Sequence, residues 1–141
     1  MAPTIMIGTQ DANIAYLLQR YAEESGFQAV RVRPDGDVLA QARDLRPKLI
    51  ILDIERGDLT DRQVVRQLKM EPATQRIPIL ICSYLDELPE TLRASVDGYL
   101  GKSIMYADFV AALKRAGLGQ YPNDAQLEPA PTSGIVRKEN E

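Results

Sequence analysis

The chain contains no histidine among its 141 residues. It therefore has no imidazole to act as general base, metal ligand or phosphohistidine donor, which excludes Ser-His-Asp hydrolysis and His-based zinc sites. Any phosphorylation chemistry must lie on the receiving side. Cysteine is nearly as scarce: Cys82 is the single thiol, so no disulfide can form within the chain, and a reducing compartment, the cytoplasm, is expected. No apolar run approaches the roughly 20 residues of a membrane span. Ala2-Pro3 leads straight into a short apolar strand with no basic start, so neither a signal peptide nor a membrane association is expected. Basic residues are not in excess either. With 17 Lys and Arg against 20 Asp and Glu, a net charge of -3 and a pI near 5.1, the chain lacks the clustered positive charge that nucleic acid requires.

What is present is ordinary for a soluble globular protein, 45% hydrophobic and 26% charged, and the length suits one domain with a full core. Strand and helix signals alternate, which argues a parallel sheet with helices on both faces. The first strand is Thr4 to Gly8. A helix follows, with Ile14, Leu17, Leu18 and Tyr21 at helical spacing, closed by Ser25-Gly26 as a glycine cap. A second strand runs from about Gln28 to Arg33. Pro34-Asp35-Gly36 turns into a second helix, capped by Asp37, with Val38, Leu39, Ala42 and Leu45 inward and Pro47 as its stop.

The third strand, Leu49 to Leu52 closing on Asp53, is apolar throughout, as a central strand covered on both faces should be. Thr60 or Asp61 caps a third helix that carries Val64, Val65 and Leu68 and breaks at Pro72. The fourth strand is Ile79 to Cys82, followed by Ser83. A short fourth helix falls within Pro89 to Ser95, a fifth strand covers about Gly98 to Gly101, and a fifth helix buries Phe109, Val110, Leu113 and Ala116. The fold class predicted is thus α/β, a doubly wound, flavodoxin-like five-stranded parallel sheet in the order 2-1-3-4-5 with five helices. The domain is expected over 1–117, with 118–141 as linker or tail.

In that order the switch point lies between the first and third strands, and short segments converge at the carboxyl edge: Thr9-Gln10-Asp11, Asp53-Ile54-Glu55, Ser83 and Lys102. A carboxylate, a hydroxyl and an ammonium there suit an incoming phosphoryl group. Asp53 would attack phosphorus to give an acyl phosphate, Lys102 would pair with one phosphoryl oxygen, and Ser83 would donate to another.

Over roughly residues 4 to 117 the sequence resembles the response-regulator receiver domains of two-component signalling. Lys48 to Lys69, KLIILDIERGDLTDRQVVRQLK, is similar to the family's phosphoacceptor strand, loop and third helix. Pro72-Ala73-Thr74 and Ile77-Pro78-Ile79 look like its approach to the fourth strand. Asp97-Gly98-Tyr99-Leu100-Gly101-Lys102 resembles its fifth strand, and Gly26-Phe27 its turn into the second. The resemblance implies that Asp53 is the phosphoacceptor, Ser83 and Lys102 the phosphoryl contacts, and Tyr99 the aromatic that changes rotamer.

The departures are as informative. The family's acidic pair falls on Thr9 and Gln10, its loop Pro on Gly57, a nearby Gly on Asp61, and the Pro after the Lys on Ser103. Mg²⁺ is commonly held through one or two carboxylates plus waters, and with Thr9 and Gln10 neutral its affinity should drop. Asp53, Glu55 and Asp11 are the candidates for a rearranged, weakened cation site. Each residue also has a plainer reading. Asp53 can simply end a strand, paired structurally with Lys102; Ser83 can be a strand-end hydroxyl, and Tyr99 a packed aromatic. Glu55 and Asp58 can be solvated loop acids, Asp61 a cap, Cys82 a core residue, and Arg62, Arg66 and Lys69 the solvated face of the third helix.

The function expected first is a receiver-like signalling module acting through protein–protein contacts, with the Asp53 site weakly used or unused. It would be no enzyme beyond any self-phosphorylation and self-dephosphorylation. The alternative is a Mg²⁺-dependent receiver phosphorylated on Asp53 by a histidine kinase or phosphotransfer protein. Either would serve a downstream output protein or domain, and a homodimer would form through the fourth helix, fifth strand and fifth helix. A flavodoxin-like small-molecule binder is disfavoured, because Gly8-Thr9-Gln10-Asp11 lacks a phosphate-cradling, Gly/Ser/Thr-rich loop.

Overall fold

The structure, a computed structural model, describes residues 2–33, 37–53, 59–83, 90–101 and 104–118, with backbone alone at 59–62 and 91–93. Five parallel strands, β1 (Thr4–Gly8), β2 (Gln28–Val32), β3 (Leu49–Asp53), β4 (Ile79–Ser83) and β5 (Gly98–Gly101), lie in the order β2-β1-β3-β4-β5. Four helices of eight residues or more accompany them: α1 (Ala12–Glu24), α2 (Val38–Leu45), α3 (Leu59–Met70) and α5 (Tyr106–Arg115). A six-residue helical segment, α4 (Glu90–Ser95), precedes β5.

The all-apolar strands form the centre of the sheet, where both faces are covered. Ile5, Met6, Ile7, Leu49, Ile50, Ile51, Ile79, Leu80, Ile81 and Cys82 are wholly buried, each large side chain contributing roughly 1.5–3 kcal/mol relative to exposure. Alternation along the strands divides them between two cores. Ile5, Ile7, Leu49, Ile51, Leu80, Cys82 and Leu100 meet Ile14 and Leu18 of α1 and Phe109, Ala112 and Leu113 of α5. Met6, Ile50, Leu52, Ile79 and Ile81 meet Val38 and Ala42 of α2 and Val65 and Leu68 of α3 on the other face.

Helices α1 and α5 end in the same way. Gly26 (φ 89°) and Gly117 (φ 87°) take the left-handed conformation that favours glycine, and the next residue turns its N–H back onto the helix. Phe27 donates to Ala22 O at 2.9 Å and Leu118 to Leu113 O at 2.9 Å, and both apolar side chains pack on the α1/α5 core. Leu118 is thereby held against the end of α5. Residues 119–141 lie outside the described residues.

Three expectations are corrected. Leu45, expected inward, is exposed, because α2 ends there, with Arg46 left-handed at φ 48° and Pro47 next. Helix α3 begins at Leu59, so Thr60 and Asp61 lie in its first turn rather than at its cap. Lys69 does not belong to a merely solvated face: its ammonium reaches the Asp97 carboxylate at 3.0 Å, because α3 packs beside the amino end of β4.

Candidate functional site at the carboxyl edge

The site begins where β1 and β3 run out together. Gly8 pairs with Leu52, so the next residues, Thr9 and Asp53, emerge side by side at the carboxyl edge. On the other side of β3, Asp53 pairs with Cys82, and Ser83 follows as the last residue of β4. Ser83 in turn pairs with Gly101, the last residue of β5. The topology thus brings Thr9, Asp53 and Ser83 to adjacent strand ends at the switch point, where open α/β sheets place ligands.

Asp53 is half-buried, with its Oδ1 inside the protein. Thr9 Oγ1 donates to Asp53 Oδ2 at 2.5 Å and accepts the Asp11 N–H at 3.0 Å. Asp11 caps α1: its Oδ1 accepts the N–H of Asn13 at 2.9 Å and of Ile14 at 3.1 Å. A carboxylate in that place satisfies two of the orphan donors of the first turn and suits the positive end of the helix dipole. Gln10, between them, is exposed.

Two further contacts brace the edge. The half-buried Tyr99 in β5 donates its hydroxyl to the Ser83 carbonyl at 3.3 Å, and its ring joins the α2/α3 core. Ser83 is itself fully buried. On the opposite face the Tyr21 hydroxyl of α1 donates to Ile104 O at 2.9 Å, two residues beyond Lys102, while its ring lies against Tyr106 and Phe109 at centroid distances of 5.4 and 5.7 Å. Lys102, Glu55, Asp58, Gly57 and Ser103 lie outside the described residues.

Sequence reasoning missed two of these roles. Thr9 reads as a neutral gap in an acidic pair, and nothing local reveals that its hydroxyl meets a carboxylate 44 positions away. Asp11 as a cap was legible: an Asp three residues before Ile14, the first apolar residue of the helical pattern, is a start signal.

No family profile matches the chain. Its sequence is similar to the polar-differentiation response regulator DivK of Brucella anthropi, 27% identical over 119 residues that span 81% of this chain and 95% of that protein. It is also similar to the transcriptional regulatory protein PrrA of Mycobacterium tuberculosis, 28% identical over 116 residues, 80% of this chain but 49% of that protein. The fold superposes on the chemotaxis response regulator CheY4 of Vibrio cholerae with a TM-score of 0.71 over 82% of this chain and 99% of that one, at 19% identity. In fold the chain is CheY-like, and in sequence it is similar to response-regulator receiver domains.

A receiver phosphoacceptor ordinarily works beside a divalent cation, as phosphoryl transfer generally does. The described residues of this chain do not fit one. Thr9 presents a proton, not a lone pair, to Asp53 Oδ2, Asp11 Oδ1 is committed to α1, and Gln10 faces solvent. Among the described residues no group of three or more His, Cys, Asp or Glu is placed to hold a metal ion. Nor is any described helix long and apolar enough to cross a membrane.

Proposed function

We propose that the chain is a receiver module for signal transduction that acts through protein–protein contacts, with Asp53 an atypical phosphoacceptor position, weakly used or unused. One observation carries the reading: the position of the first acid is taken by Thr9, whose hydroxyl is spent on Asp53 Oδ2. With a donor there instead of a second carboxylate, the charge that would draw Mg²⁺ to Asp53 is reduced. Ser83, Tyr99 and Lys102 keep the family's places, as phosphoryl contacts and switch aromatic, without the cation that couples them. The segment Glu90–Ser95 serves as the fourth helix and completes a set of five. The partners are a histidine kinase or phosphotransfer protein and a downstream output protein or domain, met in the cytoplasm, with α4, β5 and α5 as a face for a second copy. Residues past Leu118 act as a linker or tail.

The second reading is a working phosphoacceptor, favoured by the place of Asp53 at the switch point beside Ser83. There the carboxylate attacks phosphorus and the donor's bond to phosphorus breaks, leaving an acyl phosphate. A bound nucleotide or flavin is disfavoured, because the α1 N–H groups that would meet a phosphate already serve Asp11. The deciding experiment follows intact mass after incubation with acetyl phosphate and Mg²⁺, wild type beside Asp53→Asn. The leading reading expects no stable phosphoryl adduct on either; a stable adduct on wild type alone establishes the second.

A further inference from the structure

The Asp53 carboxylate is held by a donor that requires no cation, and the start of α1 orients that donor. At 2.5 Å the contact from Thr9 Oγ1 to Asp53 Oδ2 lies in the range of charge-assisted O–H···O⁻ bonds. A hydroxyl carries one proton and two lone pairs, so its direction is usually free. Here it is not. The Asp11 N–H, 3.0 Å from Thr9 Oγ1, can only donate, so it occupies a lone pair and leaves the hydroxyl proton for Asp53. That N–H is held in turn, because the Asp11 carboxylate accepts from Asn13 and Ile14 and fixes the backbone where β1 enters α1. The order of dependence runs from the α1 cap through Thr9 to Asp53.

We propose that Thr9 is the positioning residue of this site, a hydroxyl latch that holds Asp53 by Oδ2 in place of a divalent cation. The proposal deepens the reading of the Asp53 site above and rests on it for the site's place in signalling. A cation approaching Oδ2 must displace a hydrogen bond and gains only a neutral hydroxyl, whereas an acid at position 9 would add a second carboxylate beside the first. The latch depends on the hydroxyl and not on the bulk of the side chain, so serine should replace threonine and valine should not.

The test uses the full ¹⁵N-labelled chain as wild type, Thr9→Ser, Thr9→Val, Thr9→Asp and Thr9→Asp with Asp53→Asn, each titrated with Mg²⁺ and read through the Asp11 amide resonance. The expected result is an Asp11 amide that stays in place in Thr9→Ser and shifts in Thr9→Val. Mg²⁺ affinity should rise about tenfold or more in Thr9→Asp, and the gain should vanish when Asp53 is also replaced. Wild-type Mg²⁺ binding as tight as that of Thr9→Asp overturns the proposal, as does an Asp11 amide unmoved by Thr9→Val. Should Thr9→Val fail to fold, the Mg²⁺ arms decide alone. A phosphoryl adduct on wild-type Asp53 would sink the leading functional reading and leave the latch standing. A failed titration would do the reverse.

Discussion

The Tyr99 hydroxyl donates to the main-chain carbonyl of Ser83 at 3.3 Å, tying β5 to the last residue of β4. Tyr99 lies two residues before Gly101, whose partner across the ladder is Ser83, so the ring runs along the strand toward the carboxyl edge. Gly101 carries no side chain, and a Cβ there would stand 3.7 Å from the Tyr99 ring and 3.8 Å from its hydroxyl. Tyr99 thus fixes the backbone one residue beyond Cys82, the ladder partner of Asp53.

Tyr99→Phe keeps the ring in the α2/α3 core and removes the hydrogen bond to the Ser83 carbonyl. The expected cost is about 0.5–1.5 kcal/mol of folding free energy. Urea unfolding should show a lower midpoint with an unchanged slope. A cost near zero would mean that the bond does not brace the edge.

Asp97 joins three elements at the opposite end of the sheet. Its Oδ2 accepts the Ile79 N–H at 2.8 Å and the Lys69 ammonium at 3.0 Å, and its own N–H donates to Ile79 O at 2.8 Å. Asp97→Ala leaves a strand N–H without its acceptor and should cost about 1–3 kcal/mol. Lys69→Ala removes a partly exposed ion pair and a long hydrogen bond to Ile77 O at 3.4 Å, and should cost at most about 1 kcal/mol. Equal losses in the two variants, measured by chemical denaturation, would contradict this division.

Tyr21 tests the grip of α1 on the start of α5. Tyr21→Phe preserves the ring contacts with Tyr106 and Phe109 but removes the bond to Ile104 O, for an expected loss of about 0.5–1.5 kcal/mol. Hydrogen exchange should quicken at the first turn of α5 more than in β1. Uniform quickening would point to global destabilisation instead.

Gly98 is required by space. A Cβ at this position would lie 2.7 Å from Leu80 Cδ2, and Leu80 is wholly buried. Gly98→Ala should therefore cost about 1–3 kcal/mol through overpacking. Adding Leu80→Val, which removes bulk at the contact, should make the pair less destabilising than the sum of the single changes. Simple additivity in thermal or urea unfolding would refute the clash.

Much of the fold was legible in the residues. The strands lie where the apolar runs put them, because an all-apolar run between breakers suits a strand buried on both faces. Gly26 and Asp37 terminate and start helices where local turn and cap chemistry says they should. Leu45 was misread because periodicity reports the angle of a side chain around its helix and not how far that turn extends beyond the sheet. Asp97 carried no local signal at all, since its partners Ile79 and Lys69 come from two other elements.

The sequence by itself determined the alternation of strands and helices, the carboxylate at the end of the central strand and the neutral pair beside it. These follow from local propensity, hydrophobic period and residue type, which act within a few positions along the chain. Only the tertiary structure decided what the neutral pair does. Whether Thr9 or Gln10 faces Asp53 depends on the register of β1 against β3 and on the α1 cap, and that register turns Thr9 to Oδ2 and leaves Gln10 in solvent. A hydrogen bond between strand ends is settled by how the strands pair, so residue type alone could supply the donor but not aim it.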